Sequence, residues 1–548
     1  MTFFVRRLVL GCILAACCFA QSPSTTAAQE APAHSTLGET QAAQPPAGKA
    51  QRAQDEHGES KQRLTFRVTL AREATNKPVS GRLLVFMTSN VKAMPEVKLG
   101  FDNIDAQDVW MTAREVHDLA PGATVEVNPD ELAYPTPFSK APAGEYQLQA
   151  VLDTNHDYAY YNEADAGDVI SEISHTTITN PATGALEVEL TKMVPEQPLP
   201  NPHAKLIDFE SKRLTAYWGR SIHIRGWLVL PPSYETNKKQ RYPTVYQTHG
   251  FGGDLHRIAG LAEEAYSGME NRSRPEMIYV VLDESCPRGT HEFADSVNNG
   301  PYGDALTKEL IPDLEKTYRM DAKPSGRLVT GHSSGGWAAL WLQVAYPAVF
   351  GGTWPTAPDP SDFHEFTGVD LMKDTNFYRK PDGSPRMLVR MGGKDVLSLE
   401  QFAQMEQVQG DYGGQLTSFE YVFSPRGEDG RPMHLFDRET GAIDRAVAQA
   451  WEKYDIAEIL RKQWKQLGPE LNGKIHLTVG TADTFHLDEP AHALERTLKQ
   501  LGAKASFTYI PGRSHMDLYE GGLEEKIAKE MYAVARPKAR ATAAAAAQ

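Results

Sequence analysis

The sequence predicts a small all-β module followed by a larger α/β domain. Three observations carry this reading. Apolar and polar residues alternate with period two between about residues 63 and 194. Continuous apolar runs, separated by helix-like stretches, fill the region from about 206 to 535. A glycine-flanked serine, in Val329-Thr330-Gly331-His332-Ser333-Ser334-Gly335-Gly336-Trp337, stands between one such run and one such stretch. A chain of 548 residues is too long for one ordinary domain, so two folded units are expected.

The chain begins with a segment that need not belong to either unit. Arg6 and Arg7 precede a short apolar run, Leu8 to Ala16. This is the pattern of an export signal over residues 1–20, and the run is too short to span a bilayer. Leu14-Ala15-Ala16-Cys17 matches a lipobox, which would leave a lipid anchor at Cys17. Cys18-Phe19-Ala20 ahead of Gln21 suits an ordinary signal peptidase instead. Either cleavage places the protein outside the cytoplasm, in the periplasm or beyond, anchored or free. Residues 21–62 are rich in Ala, Gln, Pro, Ser and Thr and cannot bury enough surface to offset ordering entropy, so a disordered tether is expected there. The tail 536–548 reads the same way.

The first folded unit is expected over 63–194. Leu64, Phe66, Val68 and Leu70 alternate with polar residues. So do Tyr146, Leu148, Ala150 and Leu152, and then Leu186, Val188 and Leu190. Such alternation, bounded by Gly, Pro and Asn, marks strands buried on one face, and the segment reads as a small immunoglobulin-like β-sandwich. Asp153-Thr154-Asn155-His156-Asp157 spaces oxygen ligands as a calcium loop does, but it lacks the loop's glycine and distal Glu and reads as an inter-strand turn. A proline-rich linker, Pro195 to Lys205, follows.

The second unit carries the runs TVYQTHG, MIYVVLDES, GRLVTGH, FGGTWPTA, KIHLTVGTAD and SFTYIPG. Strands buried on both faces by crossover helices produce such continuous runs. The stretch 358–472 is an insertion with amphipathic helices of its own, including AVAQAWEKYDIAEILRKQW.

Hydrophobic residues at 41% and charged ones at 23% describe a globular protein with material for large cores. The formal net charge of -15 repels phosphate backbones and argues against nucleic acid as a partner. Past the signal region the only cysteine is Cys286, so no internal disulfide is expected.

Gly331, Ser333 and Gly335 make the one Gly-x-Ser-x-Gly frame in this block. The pattern arises by chance roughly 0.2 times in a chain this long. Its context adds weight. A strand ends at Val329, and GGWAALWLQVAY reads as a buried helix. A strand–turn–helix of this kind exposes a serine oxygen at a sharp elbow, with glycines where a Cβ would clash. A nucleophilic serine needs a base, an orienting acid and donors for an oxyanion. Upstream, His249-Gly250-Phe251-Gly252-Gly253 follows a strand and supplies a glycine loop whose N–H groups can bind the oxyanion. Gly250, Phe251 and Gly252 are the candidate donors there, with the N–H of Ser334 as the second. Downstream, His515 lies just past the last expected strand and is the best-placed base, ahead of His486 and His492. Two strand-like segments end in Gly-x-x-Asp, at Asp395 and at Asp483. Asp483 is followed by a helix, a strand and then His515. Asp395 is followed by the long insertion. Asp483 is therefore assigned as the acid, with Asp488 as fallback.

LPPSYE, THGFGGD, GHSSGGWAALWLQVAYPAVFGG, APDPSDF and VGTADTF with PGRSHMD together resemble an esterase family within the α/β-hydrolases. That family includes enterochelin esterases, the S-formylglutathione hydrolase/esterase D group and feruloyl esterases. The resemblance covers about Leu206 to Val534. It implies an α/β-hydrolase fold, a nucleophile at Ser333 and a catalytic histidine at His515. An N-terminal β-sandwich also occurs in enterochelin-type members. The insertion departs from the compact family pattern.

The expected activity is hydrolysis of carboxylic esters, small or carbohydrate-linked, through an acyl-enzyme. A peptidase or acyltransferase on the same machinery, and an inert surface binding protein, are the rivals. No cofactor is expected; HLDEPAH lacks metalloprotease spacing, and no catalytic metal is expected. Trp337, Trp354, Asn298 and Asn299 are the candidate substrate contacts.

Overall fold

The computed structural model describes residues 63–537, apart from 92–95, 100–102, 105–107, 160–163, 181, 201 and 411–413. The expected signal, Cys17, the tether and the tail beyond 537 lie outside the described residues. No helix among the described residues is long and apolar enough to cross a membrane.

Among the described residues the N-terminal module has nine strands. Its first strand, Leu64–Leu70, buries Leu64, Phe66, Val68 and Leu70 on one face, as the alternation requires. It pairs in parallel with the last strand, Gly184–Met193, in a register that sets Phe66 beside Leu186 and Leu70 beside Leu190. The strand Gly144–Asp153 pairs with Val79–Thr88 along one edge and with two short strands, Val169–Ser171 and Ser174–Ile178, along the other. One hydrogen-bonded sheet therefore runs through the whole module. It folds over on itself, so Phe66 and Val68 share a core with Leu83, Val85, Leu148 and Leu152. The turn after Asp153 is closed by that residue's own carboxylate, which accepts the N–H groups of His156 at 2.7 Å and Tyr158 at 3.1 Å.

Val79–Thr88 contains the run Leu83-Leu84-Val85-Phe86-Met87, buried on both faces. Leu83, Val85 and Met87 point into the module. Leu84 and Phe86 join the core of the α/β domain, together with Trp227, Leu399 and Phe402. Arg82 reinforces this seam. Its guanidinium donates to the carbonyls of Gln407, at 2.7 Å, and Val408, at 2.9 Å, in the last turn of the insertion helix Leu399–Gln409. A cation there also complements the helix dipole.

The α/β domain contains an eight-stranded sheet. Across it lie Lys205–Glu210, His223–Val229, Ile278–Leu282, Thr244–Thr248, Arg327–His332, Gly352–Thr356, Ile475–Gly480 and Ala505–Ile510. The His223–Val229 strand is antiparallel to both its neighbours, and the remaining pairs are parallel. Ile278–Leu282 is buried at every position. Its alternate residues feed two cores: Tyr279 and Val281 pack on one face, Ile278, Val280 and Leu282 on the other. This two-faced burial is why the sequence shows continuous apolar runs there.

The insertion between Gly352–Thr356 and Ile475–Gly480 holds a hairpin, Met387–Met391 with Lys394–Ser398, and the helices Leu399–Gln409, Gln415–Phe423, Arg445–Trp451 and Ile456–Leu471. The hairpin turns through Gly392 and Gly393, whose φ angles of 56° and 78° suit glycine. Ser296 and Asn298 fasten the Gln415–Phe423 helix to the strand-end loops by donating to the carbonyls of Tyr421 and Ser424, both at 2.8 Å.

Candidate active site

Ser333 sits at the junction of the Arg327–His332 strand and the Ser334–Ala345 helix, with φ 60° and ψ -127°. A non-glycine residue rarely holds such a backbone, and the surroundings enforce it. The N–H of Ser333 donates to the Thr356 carbonyl at 3.0 Å, and its carbonyl accepts from Trp337 N–H at 3.0 Å. Two positions to either side, at Gly331 and Gly335, only glycine fits. A Cβ on Gly335 would lie 2.5 Å from the His249 carbonyl oxygen, and one on Gly331 would overlap Thr248 Oγ1.

The fold brings His515 and Asp483 into contact. His515 Nδ1 and Asp483 Oδ2 are 2.8 Å apart, and both residues are buried. The other carboxylate oxygen accepts the N–H groups of Phe485, at 3.0 Å, and Leu487, at 3.2 Å. Burial alone would raise the Asp483 carboxyl. The neighbouring His515 and the two N–H groups outweigh it and hold the carboxyl below its usual value. The His515 ring lies between Phe485, edge-on at 5.1 Å, and His332 at 4.4 Å. Burial, then the charge of His515, push His332 down to about 3, so His332 is a neutral wall.

The two alternative acids are engaged elsewhere. Asp488 pairs with Arg390 at 2.6 Å. Asp395 lies in the insertion hairpin, half-exposed, with Oδ1 3.2 Å from His486 Nε2. His492 stacks on Tyr509 at 4.0 Å.

The glycine loop follows the Thr244–Thr248 strand, next to the nucleophile strand. Gly250 presses on the serine: a Cβ there would be 3.2 Å from Ser333 Cβ. His249 anchors the loop. Its N–H donates to Glu284 Oε1 and its Nε2 accepts the Glu284 N–H, both at 2.9 Å, while Nδ1 donates to the Gly250 carbonyl at 2.8 Å. These partners fit the neutral tautomer with the proton on Nδ1, while Asp283, 3.5 Å from Nε2, and Glu284 outweigh burial and hold the imidazole up to about 8. Ser334 begins the helix, so its N–H is one of the orphan donors of a helix N-terminus.

Against this geometry, a family model described as "Putative esterase" matches residues 216–526. The chain belongs to that family. Among the curated relatives of this esterase-family chain, the uncharacterized protein YbbA of Bacillus subtilis (strain 168) is 28% identical over 138 residues, 23% of this chain and 53% of that protein. Esterase MT1326 of Mycobacterium tuberculosis (strain CDC 1551 / Oshkosh) is 27% identical over 128 residues, 22% of this chain and 27% of that protein. The chain thus spans about half the length of the first relative and about a quarter of the second. A solved ferulic acid esterase overlays 61% of this chain and 100% of its own at 15% identity, with a TM-score of 0.39.

In this esterase-family chain the four candidate substrate contacts are placed differently from expectation. Trp337 is fully buried, stacked on Trp341 at 5.3 Å and packed against Phe423. Trp354 is also core. It stacks on His476 at 4.7 Å and donates its Nε1–H to Glu530 at 3.1 Å. Proximity to the serine in sequence does not put these rings in the crevice, because helix and strand periodicity turn them inward. Asn298 and Asn299 are buried too. Asn298 holds the insertion, and the Asn299 carbonyl accepts from Trp218 Nε1 at 3.1 Å. Phe251 is mostly buried and helps line a cleft of about 1040 Å³ that residues of the N-terminal module also border.

Three supporting residues were not read from the sequence. Asp359 is buried, accepts the Ser334 hydroxyl at 2.6 Å and donates its own N–H to the Ser333 carbonyl at 3.3 Å. Burial pushes its carboxyl up to about 6 against that hydrogen bond. Glu284 braces His249, and Arg390 holds both Asp488 and, at 2.7 Å, the Asp483 carbonyl. The acids at 284 and 359 each come just after a strand, in DES and APDPSDF, and that position was their available signal. Among the described residues no group of three or more His, Cys, Asp or Glu is arranged to hold a metal.

Proposed function

We propose that this protein is an exported carboxylic-ester hydrolase with Ser333, His515 and Asp483 as its triad. The observation that carries the reading is the buried 2.8 Å contact between His515 Nδ1 and Asp483, with the His515 ring 4.4 Å from that of His332, the residue before a serine held at positive φ. In the reaction, Ser333 Oγ attacks the ester carbonyl carbon as His515 Nε2 takes its proton. The carbonyl π electrons move to oxygen, which the N–H groups of Ser334 and of the Gly250-Phe251-Gly252 loop stabilise. The tetrahedral intermediate collapses, the alkoxide leaves with the proton from His515, and Ser333 carries the acyl group. Water then repeats the sequence, with His515 as base, and releases the acid. Asp483 keeps the His515 tautomer and stabilises the imidazolium. The substrate is a small or carbohydrate-linked ester.

The test is Ser333→Ala against Ser334→Ala. Ser333→Ala should abolish hydrolysis of p-nitrophenyl acetate and labelling by a fluorophosphonate. Ser334→Ala should retain both in part, because its backbone N–H survives. Labelling that persists in Ser333→Ala and vanishes in Ser334→Ala would overturn the assignment.

A further inference from the structure

We infer that Tyr519 and His332, joined through the Thr356 hydroxyl, are positioning residues that hold the catalytic histidine in register with the nucleophile. This rests on the esterase reading above. The triad draws on separate parts of the sheet. Ser333 follows the Arg327–His332 strand, whereas Asp483 and His515 follow Ile475–Gly480 and Ala505–Ile510. Between the nucleophile strand and the acid strand runs Gly352–Thr356. Asp483 and His515 hold each other, and their loops are joined by the Ala482 N–H, which donates to the Arg513 carbonyl at 3.0 Å. That pairing orients the imidazole but does not set its distance from the serine. A tie across the intervening strand does, and Thr356, the last residue of that strand, is placed to make it.

Thr356 is fully buried, and its carbonyl already belongs to the elbow, where it accepts the Ser333 N–H at 3.0 Å. Its hydroxyl has three partners. Oγ1 lies 2.9 Å from the Gly331 carbonyl, 2.5 Å from the Tyr519 hydroxyl and 3.2 Å from His332 Nδ1. A hydroxyl has one proton and two lone pairs, so these partners use it completely. The carbonyl can only accept, so the Thr356 proton goes to Gly331. Tyr519 O–H and His332 Nδ1–H then both donate to Thr356.

Each of these donors reaches the base. Tyr519 lies four residues after His515 on the same loop, and its hydroxyl pins that loop to the strand beside the nucleophile. His332 immediately precedes Ser333, and its ring lies 4.4 Å from that of His515 and 5.4 Å from that of Tyr519. The charge of this ring also suits its place. Burial, then the charge of His515, hold His332 down at about 3, so it stays neutral. A cation there would oppose the imidazolium that His515 becomes as Ser333 attacks. One hydroxyl thus gathers the nucleophile's strand, the ring beside the base and the loop that carries the base.

The test measures kcat and KM for p-nitrophenyl acetate in the full chain and in Tyr519→Phe, His332→Ala and His332→Asn, with active sites counted by fluorophosphonate titration. Tyr519→Phe keeps the ring and loses only the hydroxyl. The Asn amide can replace Nδ1–H as the donor to Thr356. A misplacement of about 1 Å can cost on the order of 10²-fold in rate, so Tyr519→Phe and His332→Ala should each lower kcat per titrated site on the order of 10-fold, with little change in KM. His332→Asn should recover most of that loss. Tyr519→Phe combined with His332→Ala should lose less than the product of the single losses, because both act through one hydroxyl. A purely structural role would lower the number of titrated sites and leave kcat per site at the wild-type value, and that result would overturn the proposal. So would losses confined to KM, equal losses in His332→Ala and His332→Asn, or single losses that multiply in full. A wild type that hydrolyses no ester and leaves Ser333 unlabelled refutes the esterase reading itself, and this inference with it.

Discussion

Replacing Asp483 by Asn tests the triad without changing its shape. One Asp483 oxygen accepts two backbone N–H groups, from Phe485 and Leu487, and an amide oxygen can accept both. The amide nitrogen then takes the place of the oxygen that lies 2.8 Å from His515 Nδ1. Two donors cannot face each other, so His515 must present a lone pair at Nδ1 and carry its proton on Nε2. The ring then has no base to offer Ser333. Any imidazolium that does form has lost its buried counter-charge. In a protease triad the equivalent change costs about 10⁴ in turnover, so a loss on the order of 10² to 10⁴ is expected here. Stability should change little, because the backbone hydrogen bonds persist and the volume is unchanged. The assay is kcat on p-nitrophenyl acetate together with a calorimetric Tm, with Asp395→Asn and Asp488→Asn as controls. A folded Asp483→Asn enzyme with full activity would refute the reasoning, and so would a folded but inactive Asp395→Asn enzyme.

Three other outcomes are expected. Burial pushes the Glu284 carboxyl up to about 8 from an unfolded value of 4.5, so between these pH values the folded state holds a proton that the unfolded state has lost. Glu284 therefore costs stability as pH rises, by up to about 1.4 kcal/mol per unit, and Glu284→Gln should flatten the fall in Tm between pH 5 and 8; parallel slopes in the two proteins would contradict this. Gly335→Ala drives a Cβ to 2.5 Å from the His249 carbonyl, so it should cost about 1–3 kcal/mol or displace the oxyanion loop and abolish fluorophosphonate labelling, and a fully active, equally stable variant would show the elbow to be slack. Export should yield a chain beginning at a lipidated Cys17 or at Gln21, which intact mass separates; a protein that keeps Met1 and stays in the cytoplasm would exclude both.

The legible parts of the sequence were those where one physical constraint acts alone. Alternation marked Leu64–Leu70 because that strand buries one face, and continuous runs marked Ile278–Leu282 because it buries two. The order acid, helix, strand, histidine singled out Asp483 over Asp395, and the structure sets Asp483 against His515. Val79–Thr88 was harder. It belongs to the alternating module yet carries a continuous run, because its outer face is claimed by a partner some three hundred residues away. Separation along the chain, though shorter, also hid Asp359, whose role depends on a side chain 25 positions earlier. Trp337 and Trp354 misled for a related reason. An aromatic ring near a nucleophile serves equally as ligand platform or as core, and only the direction of its Cα–Cβ bond decides.

The outward face of Val79–Thr88 also bears on how this chain can be taken apart. Pro195 to Lys205 looks like a place to cut, being proline-rich and, among its described residues, free of regular structure until Lys205. A fragment beginning there would keep the whole eight-stranded sheet and Ser333, His515 and Asp483. It would also lay bare the apolar ground on which Leu84 and Phe86 rest, and it would release the end of the Leu399–Gln409 helix from Arg82. That helix of the insertion would then lose the contacts that hold it on one side. The N-terminal module thus behaves less as a passenger than as part of the enzyme's scaffold, and the point where the path of the chain narrows is not a point where its cooperativity does.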